Sequence, residues 1–318
     1  MAAASECLNL VKTYDGRPPV EAVRGIDLHV EVGECFGLLG PNGAGKTTTI
    51  EILEGLLAAT SGEVQVLGRR WGRDDAEIRP RIGISLQETR LSEKLSVRET
   101  LTLFRSFYPR GLEPADALRR LSLEEKAGAR VGKLSGGQKQ RLAVACALIG
   151  DPEILFLDEP TTGLDPKSRR ELWEIIRSFR TQGRTVLLTT HYLEEAERLC
   201  DRVAIIDHGH RIALGTPREL IASLGGEHVI ECTFDMSHGR PTPAAEAFLG
   251  LPAVSDVRPE TGRVSLSVTE PHVALPELLR RLPDLGCELT SLTTRHASLE
   301  DVFVKVAGRS IEDAEAAQ

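Results

Sequence analysis

The sequence predicts an α/β fold built on a parallel sheet, followed by a smaller α+β domain. Two short runs, Cys35–Leu39 and Ile154–Asp158, stay apolar almost to their last residue. Such runs are typical of parallel strands that are buried on both faces. After about Gly226 the pattern changes to alternating, half-buried strands. Because 318 residues suffice for one large and one small domain, we place the domains at 1–226 and 227–318.

Charge and hydropathy exclude several classes of protein. The formal net charge is −8, and residues 227–318 carry most of it, with 8 basic and 15 acidic side chains. A chain without net positive charge is a poor candidate for polyanion binding, so we expect no nucleic-acid partner. The longest apolar run, 142–150, is too short to span a bilayer, and no secretory signal is visible. We therefore expect a cytoplasmic protein, with its six scattered cysteines reduced.

A glycine-rich loop, GPNGAGKTT at 40–48, lies between the first predicted strand and a predicted helix. It fits the pattern G-x-x-x-x-G-K-[ST], in which backbone N–H groups and a helix N-terminus surround phosphates. In this pattern Lys46 reaches the β- and γ-phosphates, and the Thr47 hydroxyl ligates Mg²⁺. The loop therefore predicts a site for a nucleoside triphosphate with Mg²⁺. The predicted binding residues are Gly40, Pro41, Asn42, Gly43, Ala44, Gly45, Lys46, Thr47 and Thr48.

Two adjacent acids, Asp158 and Glu159, end the second apolar run. A central parallel strand would deliver both carboxylates to the edge of the sheet where the glycine-rich loop also lies. We assign Asp158 to Mg²⁺ and Glu159 to the attacking water as general base.

A second phosphate-seeking helix terminus is predicted at LSGGQ, 134–138. Ser135 takes the N-cap position, and Gly136, Gly137 and Gln138 expose backbone N–H groups in the first turn. One triphosphate does not need two phosphate-binding helix N-termini from one chain. If the second of them faces the nucleotide of another copy, the two chains bind ATP between them in a head-to-tail arrangement.

The whole series of motifs resembles the ATP-binding subunit of an ABC transporter. It comprises the loop at 40–48, LSGGQ, ILFLDE at 154–159, GLD at 163–165, and His191 after TVLLTT. The resemblance covers about residues 5–220. It implies a P-loop NTPase fold, the ABC ATPase cassette, with a RecA-like parallel sheet core, a β-subdomain and a helical subdomain at about 88–150. It also implies an ATPase with ATP and Mg²⁺ as cofactors.

The same resemblance implies roles for four further residues. Tyr14 matches the aromatic residue that stacks on adenine. Gln87 matches the glutamine that contacts Mg²⁺ or the attacking water, so we count Gln87 as both catalytic and metal-binding, and Lys46 as catalytic. Asp165 matches the acid that crosses to the second subunit, and His191 matches the histidine that touches the γ-phosphate.

Partners follow from the resemblance as well. It implies a second copy of the chain, and a separate polytopic membrane permease that would hold the chain on the inner face of the cell membrane. Helices predicted at 96–111 and 117–128 would receive the permease, around Leu103 to Phe107. A soluble ABC ATPase of the translation or DNA-maintenance type is the alternative. It is disfavoured because the chain has a single cassette and no long heptad insertion.

Residues 227–318 predict the order β-α-β-β-α-β-α, close to a ferredoxin-like plan. Its helices are predicted at 243–250, 271–282 and 298–309, and the last nine residues as a frayed acidic tail. The segments ALGTPREL at 213–220 and SLEDVFVKVAGR at 298–309 resemble export ATPases of the daunorubicin-resistance type. This resemblance favours an exporter over an importer.

Overall fold

A six-stranded sheet forms the centre of the first part of the chain. The structure is a computed structural model, and it describes residues 3–235, 242–285 and 288–316. The strands lie in the order β5-β6-β7-β3-β8-β9, and the neighbouring pairs from β5 to β8 are parallel. These strands are β3 (Cys35–Leu39), β5 (Ile82–Ser85), β6 (Ile154–Asp158), β7 (Thr185–Thr190), β8 (Arg202–Asp207) and β9 (His210–Gly215).

The strands β3, β6 and β7 are buried along their whole length, which confirms the predicted parallel α/β core. A separate antiparallel sheet has the order β2-β1-β4, with β1 (Ala3–Tyr14), β2 (Val20–Glu31) and β4 (Ser61–Val66). Its inward-facing side chains, among them Cys7, Leu10 and Ile26, join the same hydrophobic core as Phe36 and Phe156 of the parallel sheet. This is the β-subdomain implied by the resemblance.

Helices connect and cover these sheets. They are α1 (Lys46–Leu53), α2 (Asp75–Ile78), α3 (Val97–Arg105), α4 (Pro114–Arg120), α5 (Gly136–Leu148), α6 (Pro166–Thr181) and α7 (Leu193–Leu199). The helix predicted at 117–128 is wrong at both ends. It begins earlier, at Pro114, and ends at Arg120, because Ser122 adopts a left-handed conformation (φ 51°) that a helix cannot continue through. A 3₁₀ turn at Glu124–Lys126 follows.

A second compact unit comprises Gly215–Asp313, and the first comprises Met1–Leu214 with the residues from Ala314 onward. The second unit starts twelve residues before our boundary at 227, because it includes α8 (Pro217–Ala222). The Lys305 ammonium, on α10 (Leu299–Ala307), donates to the Ser223 carbonyl just after α8, at 3.1 Å. The amino-acid composition does not predict this contact.

The second unit holds an antiparallel sheet in the order β11-β12-β10-β13. This is the strand order of the predicted ferredoxin-like plan. Its strands are β10 (His228–Phe234), β11 (Val254–Glu260), β12 (Arg263–Val268) and β13 (Leu289–His296). Helix α9 (Pro271–Arg281) supplies Ala274 and Leu278 to the core on one face of the sheet.

Two expectations for the second unit are wrong. The helix predicted at 243–250 is, in its described part, a single 3₁₀ turn at Ala245–Ala247. The residues that follow it, 248–250, form a turn. Within its described residues, 310–316, the tail predicted to be frayed is instead a short helix, α11 (Ile311–Ala316), and residues 317–318 lie outside the described part. Its start is capped by Ser310, whose hydroxyl accepts from the Asp313 N–H at 3.0 Å.

The five cysteines that the structure describes are buried, free thiols, and Cys287 lies outside the described residues.

Candidate functional site

The glycine-rich loop joins the end of β3 to the start of α1. Gly45, the residue before α1, has φ 104°, and a Cβ there would lie 2.3 Å from the Ala22 carbonyl oxygen, so only glycine fits. The buried Lys46 side chain curls back over the loop. Its Nζ donates to the carbonyl oxygens of Gly40 and Pro41 at 2.8 and 3.0 Å. The loop is thus closed around the lysine that we predicted to bind phosphate.

Most of the predicted catalytic residues contact the carboxylate of Glu159. Its Oε1 lies 3.4 Å from Lys46 Nζ, and its Oε2 lies 3.2 Å from His191 Nδ1. The His191 contact is at ion-pair distance but lacks hydrogen-bond geometry, since Nδ1 has no hydrogen-bond partner among the described residues. The Gln87 amide donates to Oε2 at 3.3 Å. The structure therefore brings Lys46, Gln87, Glu159 and His191 together.

Two effects act on the Glu159 carboxyl in opposite directions. Burial raises its pKa, but the approach of His191 and the positive charge of Lys46 outweigh burial and lower the pKa to about 2. Glu159 is therefore ionised at any physiological pH, as a general base must be. Its backbone has a left-handed conformation (φ 44°), which is unusual for a residue with a side chain. The Glu159 N–H donates to the Thr189 hydroxyl at 2.9 Å, which helps to hold this turn.

Asp158 and Thr47 form the second half of the site. The Thr47 hydroxyl donates to Asp158 Oδ1 at 3.3 Å, and the Thr189 hydroxyl donates to the same oxygen. Burial raises the pKa of Asp158, and the charge of Glu159 raises it further, while the Thr189 hydrogen bond opposes both effects. A bound divalent cation would stabilise the ionised form of such a carboxylate.

The oxygen donors present fit Mg²⁺. The described residues contain no group of three or more His, Cys, Asp and Glu side chains that could hold a metal ion. Mg²⁺ does not require one, because it is usually bound by one or two protein oxygens together with substrate phosphates and waters. Thr47, Asp158 and Gln87 offer such oxygens beside the phosphate-binding loop.

A cleft of about 660 Å³ opens over this group, a size typical of small-molecule sites. Tyr14 stands in its lining with its hydroxyl 3.3 Å from the Thr48 hydroxyl, in hydrogen-bond contact. The Tyr14 side chain is 38% exposed, so its ring is available for stacking. The lining residues are Tyr14, Val20, Ala22, Asn42, Gly43, Gly45, Lys46, Thr47, Thr48, Gln87, Glu159, Thr162 and His191.

The predicted residues of the second helix terminus and the GLD segment form a different cluster and do not line this cleft; they are Ser135, Gly136, Gly137, Gln138 and Asp165. Ser135 is the N-cap of α5, and its hydroxyl accepts from the Gln138 N–H while the Gln138 side chain accepts from the Ser135 N–H. Asp165 caps α6, and its carboxylate accepts from the Ser168 hydroxyl at 2.6 Å. A Cβ built on Gly137 would lie 2.4 Å from that same hydroxyl, so the two segments are in close contact. Gly136 belongs to the same turn.

Sequence reasoning missed four residues that support the site. Thr189 holds Asp158 and Glu159, and Thr162 donates to Glu159 Oε2 at 3.1 Å. The Tyr192 ring lies 4.1 Å from the His191 ring, and the Arg169 guanidinium lies 4.4 Å above the Tyr192 ring. Thr162 and Tyr192 lie close in sequence to Glu159 and His191, respectively. Thr189 and Arg169 reach the site only through contacts between distant segments.

Among the described residues, no helix combines the length and the apolar character that crossing a membrane would require.

Two family models match the chain in succession. Residues 23–162 match the model described as ABC transporter. Residues 215–307 match the model for the C-terminal domain of ATP-binding proteins described as DrrA1-3-like. The two matched ranges fall within the first and second compact units, respectively.

Named relatives align with nearly the whole chain. The Nod factor export ATP-binding protein I of Burkholderia orbicola (strain AU 1054) is 42% identical over 298 residues, which cover 92% of this chain and 93% of the relative. The protein of the same name in Paraburkholderia xenovorans (strain LB400) is 40% identical over 320 residues, covering 98% and 99%.

Solved structures resemble about two thirds of the chain. The dimeric post-hydrolysis state of the ATP-binding cassette MJ0796, bound to ADP and Pi, superposes with a TM-score of 0.62 at 28% identity, covering 67% of this chain and 98% of that one. A structure of an ATP-binding subunit of an ABC transporter also has a TM-score of 0.62, at 30% identity over 70% of this chain and 93% of the other.

Proposed function

The chain belongs to the ABC transporter family and is one of its ATPases, and from this premise we propose that it powers export through a separate membrane permease. In this proposal two copies bind two ATP molecules head to tail, and hydrolysis requires both copies. The relatives support the direction of transport, since they are named as export ATP-binding proteins.

One observation carries the proposal of a composite site. The cleft at the glycine-rich loop contains Lys46, Gln87, Glu159 and His191, but none of residues 135–138. The capped N-terminus of α5 is nevertheless a ready anion site, with Gly136 and Gly137 in its first turn. The N-terminus of α5 lies outside the chain's own cleft, so it could bind the phosphates of a nucleotide held by a second copy. The Asp165 loop lies against the same segment through Ser168, so it would belong to the same interface.

The chemistry at the cleft begins with the displacement of Lys46. Its ammonium group now contacts the carbonyl oxygens of the loop and Glu159. The β- and γ-phosphates of ATP would draw it away from these acceptors, because a phosphate carries more negative charge than either. Glu159 would then face the γ-phosphate with His191 at its side. As an ionised carboxylate, it would accept the proton of the attacking water.

The family and the donor set support Mg²⁺ as cofactor. Thr47, Asp158 and Gln87 would hold it, and the ion would neutralise charge that develops on the phosphates. Adenine would stack on Tyr14, since an aromatic ring supplies a face for any base.

The permease would dock on the exposed apolar side chains of α3 and the turn after it. Leu103 is 45% exposed and Phe107 is 66% exposed, although both are large and apolar. Such side chains gain stability when a partner covers them. The chain would then work in the cytoplasm, peripherally on the inner face of the cell membrane.

A trapped dimer tests the composite site. Purified Glu159→Gln chain with ATP and Mg²⁺ should elute as a dimer in size-exclusion chromatography with light scattering, and as a monomer without nucleotide. Adding Gly137→Ala to the same chain should prevent the dimer while ATP still binds. A Glu159→Gln chain that stays monomeric while saturated with ATP would contradict the head-to-tail arrangement.

A further inference from the structure

Glu195, on α7, has a carboxyl group that the protein encloses completely. The residue is 0% exposed, and it follows His191 by four positions. Glutamate is almost never fully buried unless its carboxyl group is paired, because burial removes the hydration of that group. Glu195 does not line the nucleotide cleft, so contact with nucleotide cannot offset this cost.

One carboxyl oxygen of Glu195 is paired, and the other is not. Oε1 accepts a hydrogen bond from the indole Nε1 of Trp173, on α6, at 2.9 Å. Oε2 is buried and has no hydrogen-bond partner among the described residues. Burial raises the pKa of Glu195, and the groups that oppose this effect are Thr190, Trp173, Thr161 and the charge of Arg169.

A second unpaired atom belongs to Thr161. This residue is also 0% exposed, and its hydroxyl oxygen has no hydrogen-bond partner in the part of the chain that the structure describes. The hydroxyl is near enough to lower the pKa of Glu195, although the contact lacks the geometry of a hydrogen bond. Buried polar atoms are almost always paired. A small rotation of either side chain would pair these two with each other.

Thr161 lies in the turn between the proposed base and the N-cap of α6, two residues after Glu159 and four before Asp165. Within this turn, the Thr162 N–H donates to the Glu159 carbonyl at 3.2 Å, and the Leu164 N–H donates to the Thr161 carbonyl at 3.1 Å. Glu159 has the unfavourable φ of 44°, which persists only where the surrounding structure holds it. A bond from Glu195 to Thr161 would help to hold it.

Glu195 also contacts the segment that carries His191. The Glu195 N–H donates to the Tyr192 carbonyl at 3.1 Å, and the Tyr192 N–H donates to the Thr190 hydroxyl at 2.9 Å. Thr190 is the last residue of β7. Glu195 is thus bonded to both α6 and the His191 segment, and it lies beside the turn after Glu159.

We propose that Glu195 is a positioning residue for ATP hydrolysis, and that its carboxyl group pairs with the Thr161 hydroxyl to hold the Glu159 turn against the His191 segment. The inference rests on the proposed role of Glu159 as the base. A catalytic group displaced by ~1 Å can cost ~10²-fold in rate. Loss of the pair should therefore affect kcat, whereas ATP binding at the glycine-rich loop should change little.

Thr161→Val tests the pair with little disturbance of the fold. Valine has nearly the shape of threonine but lacks the hydroxyl, which has no other partner among the described residues. In the purified full chain, kcat for ATP hydrolysis should fall by ~10-fold while KM for ATP changes by less than about twofold. Ser5→Ala is the matched control. It removes another buried and unpaired hydroxyl, on β1, and should leave both constants unchanged.

Two variants of Glu195 separate positioning from a purely structural role. Glu195→Gln keeps an acceptor for Trp173 and offers an amide donor to the Thr161 hydroxyl, so it should keep most of its kcat. Glu195→Met has a similar length without polar oxygens and should lower kcat as Thr161→Val does. Urea denaturation checks that each variant is folded under assay conditions. The double variant, Thr161→Val with Glu195→Met, should be no slower than the slower single variant, because both changes remove one contact.

Several outcomes would overturn the inference: wild-type kcat in Thr161→Val, a change in KM alone, a Glu195→Gln chain as slow as Glu195→Met, or losses that multiply in the double variant. If Glu195→Met does not fold, Thr161→Val and Glu195→Gln decide. Glu159→Gln separates this inference from the proposed function. Wild-type kcat in Thr161→Val beside an inactive Glu159→Gln would overturn the positioning role alone. Wild-type turnover by Glu159→Gln would overturn the proposed base and the positioning role together.

Discussion

Lys46 Nζ and Glu159 Oε1 lie 3.4 Å apart in the cleft, each almost completely buried. The residue that should hold the phosphates is thus paired with the residue that should activate water. ATP must separate the two, since phosphate oxygens compete for the same ammonium group. Each buried charge compensates the other, so neither is left as an uncompensated charge in the protein interior.

The first prediction concerns the base. Glu159→Gln should bind ATP as well as wild type but lose turnover by about 10²-fold or more, because the carboxamide cannot accept a proton. Single-turnover hydrolysis and binding of a fluorescent ATP analogue measure the two properties separately. Glu88→Gln is the control, since Glu88 is 78% exposed and lies just after Gln87. Turnover by Glu159→Gln at the wild-type rate would rule out Glu159 as the base.

The second prediction concerns the packing of α5 against α6. A Cβ on Gly137 would lie 2.4 Å from the Ser168 hydroxyl and 2.8 Å from its Cβ, whereas one on Gly136 would meet nothing within 4 Å. Gly137→Ala should therefore lower the free energy of unfolding by ~1–3 kcal/mol. Gly136→Ala should not lower it, because alanine is a good helix former. Urea denaturation measures the free energy of unfolding of both variants. Equal values for the two would contradict the close contact between Gly137 and Ser168.

Local patterns made much of the site predictable. The S-G-G-Q sequence of 135–138 is a capping box, so the start of α5 follows from four neighbouring residues. The loop before Lys46 is likewise a local pattern. Thr189 was not predictable, because its place beside Asp158 depends on the register between β6 and β7, which pairs these two residues. The contact between Arg169 and Tyr192 was not predictable either, because Arg169 lies on α6 and Tyr192 precedes α7.

Errors in the fold arose where local and long-range effects conflict. The segment 117–128 consists mostly of helix-forming residues, yet Ser122 adopts a left-handed conformation and the helix ends at Arg120. The second unit begins at Gly215, inside the segment ALGTPREL whose resemblance we noted, but the change to alternating strands led us to place the boundary at 227. The contact of α8 with α10, which includes the hydrogen bond from Lys305 to the Ser223 carbonyl, shows that α8 belongs to the second unit.

The third prediction concerns the docking surface. Replacing Leu103 and Phe107 with alanine should leave the ATPase activity of the free chain unchanged, since neither lines the nucleotide cleft. Transport, and ATPase activity stimulated by the permease, should both fall. Leu279→Ala is the control, because Leu279 is 48% exposed but belongs to α9 in the second unit. Full transport by the double variant would exclude these two side chains from the interface.

The fourth prediction concerns the position of His191. Tyr192 lies between the His191 ring, at 4.1 Å, and the Arg169 guanidinium, at 4.4 Å. Tyr192→Ala should lower kcat for ATP hydrolysis by ~10-fold or more with little change in KM, because small displacements of a catalytic group are costly. Tyr192→Phe preserves the ring and should retain activity. A change in KM alone would show that the ring acts on binding instead.

The fifth prediction is a pH dependence of stability caused by Glu54. Its pKa of about 9 in the folded chain lies far above the value of ~4.3 expected when unfolded. Between these values the unfolded chain releases a proton that the folded chain keeps. Stability from this group is therefore complete below pH ~4.3 and decreases toward pH 9, by at most ~1.4 kcal/mol per pH unit.

Glu54→Gln removes this proton linkage, so the variant should be more stable than wild type at pH 8, with a smaller advantage at pH 6. Urea denaturation at the two pH values measures the difference directly. Glu125→Gln, at an exposed position, should show the pH dependence of wild type. Equal pH slopes in wild type and Glu54→Gln would mean that Glu54 is already ionised and paired in the free chain.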